Sequence, residues 1–181
     1  MKGVAIQSVR DVRWKLCWIK SIALLANVLA KTEAAAAGAD EAVFVDEDGF
    51  VSECSTSNLY VVIDGTIVTH PVGDKVLPGI TRDYLLECAR ELKIPVQERP
   101  ILEHDAMRAP EIFISSTTRE VNWVARWNDR PVGSGKCAEV TLRLHRAFQE
   151  RVKREMQTRH ARGSSTSMGI SDSFRSSSRS T

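Results

Sequence analysis

One run of apolar residues, Leu59-Tyr60-Val61-Val62-Ile63, constrains the fold of this chain more than any other stretch. A short, continuous apolar run bounded by polar residues is typical of a buried β-strand. Asp64 and Gly65 follow at once, and an Asp-Gly pair is a strong signal for a hairpin turn. Residues 66–69 then supply the returning strand. The sequence therefore predicts an antiparallel strand pair as part of a larger sheet.

The rest of the pattern predicts a mixed sheet combined with helices. We expect further strands over residues 4–9, 11–19, 41–45, 50–53, 96–99, 112–115, 121–127 and 130–132. We expect helices over residues 21–37, 81–92, 102–108 and 138–159, the first two capped by Ser21 and Thr81. The apolar face of the first helix is predicted to consist of Ile22, Leu25, Val28 and Leu29. Because hairpins recur among the alternating strands and helices, the fold class is mixed α/β and not a doubly wound parallel sheet.

Composition narrows the functional classes. A chain of 181 residues can form one domain with a sizeable core, and its 43% hydrophobic and 27% charged residues are ordinary for a globular protein. The net charge of +2 is too small to favour nucleic acid or an anionic membrane as a partner. We see neither a secretory leader pattern nor an apolar run long enough to span a bilayer. The four cysteines form no Cys-x-x-Cys pair, so we expect reduced thiols, a cytoplasmic location and no metal site.

The composition changes abruptly near the C-terminus. From Gly163 onward the chain is rich in serine and arginine, with too few apolar residues to form a core. We therefore predict a globular domain over residues 1–160 and a disordered tail over residues 161–181. Arginines among serines also occur in tails that bind nucleic acid, but a solvated tail is the commoner case.

Lys20 is the first candidate for chemistry. It stands between Ile19 and Ser21, before the first predicted helix. In a low-dielectric pocket a lysine amine loses its proton easily and attacks an aldehyde, such as that of pyridoxal phosphate (PLP), to form a Schiff base. Taken alone, a lysine in such a place is more often a solvated charge. The hypothesis therefore depends on the residues that follow.

Three later stretches supply what a PLP site requires. Glu53 ends a predicted strand, and a carboxylate near the pyridine nitrogen keeps that nitrogen protonated, so that the ring can accept electrons. Residues 77–82 form a glycine-containing loop that opens a helix, where exposed amides favour an anion. Residues 115–120 follow an apolar strand and offer small hydroxyl residues to the same anion. Separately, these are a solvated carboxylate, a helix cap and a turn.

Taken together, these stretches resemble the class IV aminotransferases, the PLP enzymes of fold type IV. The long, gapped signature of that family reads here as Glu53, Asn58, Leu59, Tyr60, Thr69, Leu77, Gly79, Ile80 and Arg82. Residues 19–21 resemble the lysine motif of the family, and residues 116–118 resemble a third motif. Residues 11–14 and 28–33 are most similar to members that act on D-amino acids. The resemblance covers residues 4–154 and implies the barrel-like mixed sheet of the large C-terminal domain.

The resemblance also implies roles for individual residues. Lys20 would bind the PLP aldehyde and carry the proton, Glu53 would pair with the pyridinium nitrogen, and Leu77 would pack on the ring. The phosphate would be held by Gly79, Ile80, Thr81, Ser116 and Thr117. The amides of Thr118 and Arg119 would face the substrate carboxylate.

The implied reaction is amino transfer between a D-amino acid, such as D-alanine, and a 2-oxo acid, such as 2-oxoglutarate, in a homodimer. Branched-chain L-amino acid transfer and an aminodeoxychorismate lyase remain alternatives within the family. The family's smaller N-terminal domain has no counterpart before Lys20. We therefore also consider an inactive fragment, and we expect the isolated chain to have little activity.

Overall fold

The computed structural model describes residues 2–167, and these contain ten strands and four helices. The strands are β1 (Val4–Arg10), β2 (Glu41–Val45), β3 (Phe50–Cys54), β4 (Asn58–Ile63), β5 (Thr66–Thr69), β6 (Val96–Glu98), β7 (Ile101–Leu102), β8 (Glu111–Ser116), β9 (Glu120–Trp127) and β10 (Arg130–Pro131). The helices are α1 (Leu25–Ala36), α2 (Ile80–Glu91), α3 (Glu103–Ala106) and α4 (Glu139–Ser167). None of these helices is long and apolar enough to cross a membrane.

The strands form a mixed sheet, as the sequence predicts. Their order is β6-β5-β4-β8-β9-β1-β2-β3-β7, with β10 paired to β9. β1 runs parallel to both β2 and β9, and β5 runs parallel to β6, whereas the other pairs are antiparallel. The predicted β4–β5 hairpin is confirmed, with Ile63 opposite Thr66. Its turn residues Asp64 and Gly65 both have positive φ, which gives a turn twist that matches the twist of the strands.

The main core lies against the middle of this sheet. It is formed by large apolar side chains of β1, β4, β8 and β9, among them Ile6, Val61, Ile114 and Trp127, each at most 1% exposed. Full burial of one such side chain contributes about 1.5–3 kcal/mol. β4 and β8 also carry the aromatic pair Tyr60 and Phe113, whose rings stack with centroids 4.6 Å apart. These strands provide a rigid floor beneath the bends that follow β3 and β8.

The predicted strand over residues 11–19 is wrong. Only Asp11 continues the ladder, with its amide donating to the Val45 carbonyl at 2.8 Å. After that the chain forms a loop in which Val12, Trp14 and Leu16 are exposed. Their alternation with polar residues imitates a strand, yet no strand of the described residues pairs with them.

The first helix also differs from the prediction. α1 begins at Leu25, and the Ser21 hydroxyl accepts a bond from the Ala23 amide instead of capping the helix. Its leucine and valine face is exposed, whereas Ala30 and Ala34 are buried against β1 and β2. Small side chains let the helix approach the sheet closely, so the alanines form the packing face.

The chain divides into two compact units, residues 1–145 and residues 146–181. The second unit is helical up to Ser167 and carries an ion pair between Arg151 and Glu155, at i and i+4, with 3.6 Å between the atoms. Residues 161–167 of the predicted tail thus belong to α4. The rest of the predicted tail, residues 168–181, lies outside the described residues.

Candidate active site

A cavity of about 410 Å³ opens in the first unit, lined by the loop before α1, the β3–β4 bend, the start of α2 and the end of β8. Eight of the ten predicted site residues line it, namely Lys20, Glu53, Leu77, Gly79, Ile80, Thr81, Ser116 and Thr117. They come from stretches separated by up to about a hundred residues, so the fold brings the predicted motifs to one place.

Lys20 reaches the cavity from the loop that precedes α1, not from a strand end. Its side chain is exposed. The loop is held in place by the Cys17 amide, which donates to the Asp74 carbonyl at 2.9 Å, and by the Ile19 amide, which donates to the Leu16 carbonyl at 3.0 Å. The amine thus stands on an anchored segment of the cavity lining.

Glu53 is buried in the cavity wall, and both of its carboxylate oxygens accept hydrogen bonds. Oε1 accepts from Arg13 Nη1 at 2.6 Å, and Oε2 accepts from the Leu77 amide at 3.1 Å and from Asn58 Nδ2 at 3.3 Å. Burial raises the pKa of Glu53 to about 7, although Arg13 and the Leu77 amide oppose the shift. The carboxylate is therefore fixed in orientation but close to half-protonated at neutral pH.

Arg13 is the partner that the sequence did not indicate. Its guanidinium also makes a bidentate pair with Asp11, with Nε–Oδ1 and Nη2–Oδ2 distances of 3.0 and 2.9 Å. Nη2 donates further to the Lys75 carbonyl and to Ser52 Oγ, and the guanidinium carbon lies 4.0 Å from the centre of the Phe44 ring. This arginine is locked in place on several sides.

Asn58 connects Glu53 to the loop before α2. Besides its bond to Glu53, its Nδ2 donates to the Leu77 carbonyl at 3.0 Å. A Cβ added to Gly79 would overlap Asn58 Oδ1. A glycine is therefore required at position 79 because the Asn58 side chain occupies the space beside it.

We expect Gly79→Ala to destabilise the chain by about 1–3 kcal/mol, the usual cost of overpacking, because Asn58 must leave Glu53 or Leu77. Urea unfolding measures this loss. Gly73→Ala is the matched control, since Gly73 lies in the same loop and a Cβ there meets nothing within 4 Å. Equal free energies of unfolding for the two variants would contradict this account of Gly79.

The start of α2 offers an anion site. Gly79 is the N-cap, and Ile80 and Thr81 are the first two helical residues. The first amides of a helix have no intrahelical acceptor and point along the positive end of its dipole. Thr81 is thus inside the helix, and the prediction that it caps α2 is wrong. Its position in the lining still leaves its amide and hydroxyl near the cavity.

The end of β8 forms another wall of the cavity. Ser115 is buried and shares a 2.8 Å hydrogen bond with the Tyr60 hydroxyl, which fixes the strand end to β4. Ser116 and Thr117 follow in the lining, while Thr118 and Arg119 lie outside it. The Arg119 amide donates to Ser116 Oγ at 3.2 Å, which closes the turn.

Glu41 organises the β3–β4 bend, although its place in the sequence does not single it out. It is fully buried, and it accepts bonds from the hydroxyls of Ser55, Thr56 and Ser57. Asn27 of α1 donates to the Ser55 carbonyl at 2.9 Å. The bend is thus tied to β2 and α1, and its residues form part of the cavity wall.

Comparison with known proteins identifies the class. The family model for class IV amino-transferases matches residues 1–127. The chain is 40% identical to the D-alanine aminotransferase of Listeria monocytogenes serotype 1/2a over 152 residues, which are 84% of this chain and 52% of that protein. The corresponding protein of Staphylococcus aureus strain COL is 38% identical over 151 residues, with coverages of 83% and 53%.

Solved structures agree with this assignment. The branched-chain amino acid aminotransferase of Escherichia coli superposes with a TM-score of 0.72 and 31% identity, covering 81% of this chain and 50% of its own. The T.th. enzyme of the same name, with pyridoxamine 5'-phosphate, gives 0.72 and 33%, with coverages of 82% and 51%. The mixed sheet is thus the large-domain fold of the fold-type-IV enzymes. The chain belongs to the class IV aminotransferases, and it spans about half the length of the curated relatives it matches.

Proposed function

We propose that this chain supports PLP-dependent amino transfer between a D-amino acid, such as D-alanine, and a 2-oxo acid, such as 2-oxoglutarate. The observation that carries the proposal is the cavity lined jointly by Lys20, Glu53 and the anion-binding residues around Thr81 and Thr117. The names of the Listeria and Staphylococcus relatives favour D-alanine as the amino donor.

The donor set of the cavity fits PLP. An amine suits the aldehyde, a carboxylate suits the pyridine nitrogen, and helix amides with hydroxyls suit the phosphate. Within the described residues, Glu53 Oε1 takes part in one hydrogen bond, that from Arg13, so it retains an acceptor site for a pyridinium N–H. When bound, PLP would supply an electron sink for the charge that develops at the substrate Cα.

The residues of this chain have distinct tasks in the proposal. Lys20 binds the aldehyde carbon and then moves a proton between the substrate Cα and the cofactor C4′. Glu53 holds the positive charge on the pyridine nitrogen, and Leu77 packs on the ring. Ile80 and Thr81 bind phosphate through their amides, helped by Gly79, whose lack of a side chain keeps the approach open.

The end of β8 completes the set. Ser116 and Thr117 bind phosphate through their hydroxyls. Thr118 and Arg119 would position the substrate carboxylate through their amides. Because both lie outside the cavity lining and the Arg119 amide already donates to Ser116, this role requires the turn after β8 to open.

The test of the proposed cofactor site is chemical. The chain is mixed with PLP, reduced with borohydride, digested and mapped by mass spectrometry. We expect one adduct, on the peptide that contains Lys20. An adduct on another lysine, or none at saturating PLP, would exclude this site.

Branched-chain L-amino acids are the second candidate, because the solved structures with similar folds are branched-chain aminotransferases. Bound PLP changes its absorption when it accepts an amino group, so D-alanine and L-leucine can be compared in separate single-turnover experiments with the reduced adduct as a control. We expect the change with D-alanine. A change with L-leucine alone would replace the first candidate by the second.

The chain also carries a surface suited to a second copy of itself. Residues 12–29 expose Val12, Trp14, Trp18, Ile22, Leu25, Val28 and Leu29, with exposed fractions from 46% to 100%. We call this the 12–29 surface. Trp14 belongs to both this surface and the cavity lining, so a partner seated there would also cover the cavity. Contiguous apolar surface of this kind marks association sites.

We therefore propose a homodimer and expect Leu25→Glu to weaken it at least about tenfold, since a charge would be buried in the interface. Sedimentation velocity over a concentration series measures the association. Ala36→Glu adds the same charge at an exposed position at the end of the same helix and should leave association intact. A wild-type chain that stays monomeric throughout the series would contradict the proposal.

A cytoplasmic location is part of the same proposal. All four cysteines are free thiols, and Cys17, Cys54 and Cys88 are buried. Free thiols in these positions suit a reducing compartment.

A further inference from the structure

The guanidinium of Arg13 has a rigid environment that leaves one donor for Glu53. Its side chain is 4% exposed, and Nε and Nη2 are occupied by Asp11, by Ser52 and by the Lys75 carbonyl. Nη1 is directed at Glu53 Oε1 over 2.6 Å. A buried arginine in this many contacts cannot turn away, so the direction of Nη1 is set by the fold.

We propose that Arg13 is a positioning residue that keeps Glu53 ionised and aimed into the cavity, where a pyridine-type nitrogen binds. This inference rests on the proposed function only in naming the nitrogen. The contacts of Arg13 with Glu53 exist in the chain itself and can be tested on it alone.

Electrostatics explain why such a residue is needed. A carboxylate that is only 6% exposed favours its protonated form, because burial removes the water that stabilises the charge. A protonated Glu53 would carry no charge to hold a pyridinium. Attraction by Arg13, together with its hydrogen bond, works against burial and lowers the pKa of Glu53 toward its value of about 7.

The other groups around Glu53 set the balance. Asp11 repels the carboxylate and raises its pKa, while it also fixes the far side of Arg13. The thiols of Cys17 and Cys54 line the same cavity, and because burial raises the pKa of both they remain neutral. Lys20 adds a cation elsewhere in the cavity lining. Arg13 is thus the cation that directly contacts Glu53 within the described residues.

The experiment follows the ionisation of Glu53 in the chain without PLP. Glutamate labelled with ¹³C at the carboxyl carbon is titrated by NMR, and the Glu53 signal is assigned by its loss in Glu53→Gln. We expect Arg13→Met to raise the pKa of Glu53 by at least about one pH unit, because an adjacent opposite charge is worth one to three units. Arg10→Met is the matched control, since Arg10 is exposed at the end of β1 and its loss should leave the pKa unchanged.

A second readout protects against misfolding of Arg13→Met. In the wild-type chain, the side-chain ¹⁵N signals of Arg13 should shift with the same pH midpoint as Glu53. An unchanged Glu53 pKa in a folded Arg13→Met chain would overturn the inference. So would Arg13 signals that ignore the Glu53 midpoint.

The two proposals fail in different ways. If the cavity does not take PLP, borohydride traps no adduct on wild-type Lys20, while the pKa of Glu53 still depends on Arg13. If Arg13 has no positioning role, the adduct forms and neither the pKa of Glu53 nor the pH profile of the bound cofactor's absorbance changes in Arg13→Met.

Discussion

Lys20→Ala is expected to abolish the PLP adduct that borohydride traps and to lower amino transfer by about 10³-fold or more, where the wild-type chain shows transfer. The amine is both the group that binds the aldehyde and the base that moves the proton, and general acid–base catalysis alone contributes about 10²–10⁴-fold. Alanine supplies neither function. Folding should be nearly unaffected, because the Lys20 side chain is exposed.

Lys15→Ala is the matched control for this variant. Lys15 is exposed on the same loop, five residues before Lys20, but it lies outside the cavity lining. It should keep the adduct and the rate of the wild type. A full adduct in Lys20→Ala would show that another amine binds the aldehyde, and the central assignment would be lost.

Sequence reasoning succeeds where the signal is local. The β4–β5 hairpin depends on a five-residue apolar run and on two turn residues with positive φ, all within eleven positions. Most of the cavity-lining residues can also be found from the sequence, because the family signature marks chain segments that each carry a recognisable chemical group. Local propensity and motif spacing are sufficient for features of this kind.

The same reasoning fails where long-range contacts decide. Residues 11–19 alternate like a strand, but Arg13 turns inward to Glu53, forty positions away, and no strand of the described chain pairs with this segment. Periodicity predicts Leu25 and Leu29 on the buried face of α1, yet Ala30 and Ala34 pack on the sheet. A periodic pattern locates an apolar face but cannot say whether that face meets the protein's own core or its surface.

Buried polar partners are invisible in the sequence for a related reason. Glu41 and Asp11 resemble ordinary surface carboxylates there. Only the fold shows that Glu41 collects three hydroxyls of the β3–β4 bend and that Asp11 anchors Arg13. A buried charge must be paired, so the partner is specified in three dimensions and carries no local sequence signal.

Glu53→Gln is expected to retain the adduct on Lys20 but to slow amino transfer by about 10²-fold, the usual effect of removing one preorganised group that stabilises developing charge. Glutamine has nearly the same shape, so it keeps the acceptor for Arg13 but loses the negative charge that holds the pyridinium. Single-turnover absorbance measures the rate, and mass mapping measures the adduct. An unchanged rate would remove Glu53 from the proposed machinery.

The same variant has a signature without any cofactor. The pKa of Glu53 is about 7 in the folded chain, against 4.5 as the ordinary value. Between these two values the folded chain binds more protons than the unfolded chain, so the free energy of unfolding falls as pH rises through this window. The contribution is fully present below about pH 4.5 and lost above about pH 7.

Urea unfolding at intervals from about pH 4.5 to about pH 7.5, which spans this window, should therefore show a smaller loss of stability for Glu53→Gln than for the wild type. Glu47→Gln, at an exposed position in the β2–β3 turn, removes the same charge away from the cavity and should keep the wild-type slope. Other carboxylates titrate in this range in both chains, so only the difference between variants reports Glu53. Because burial of this one carboxylate in the cavity wall causes the slope, parallel curves for all three chains would mean that Glu53 is already solvated and free to ionise.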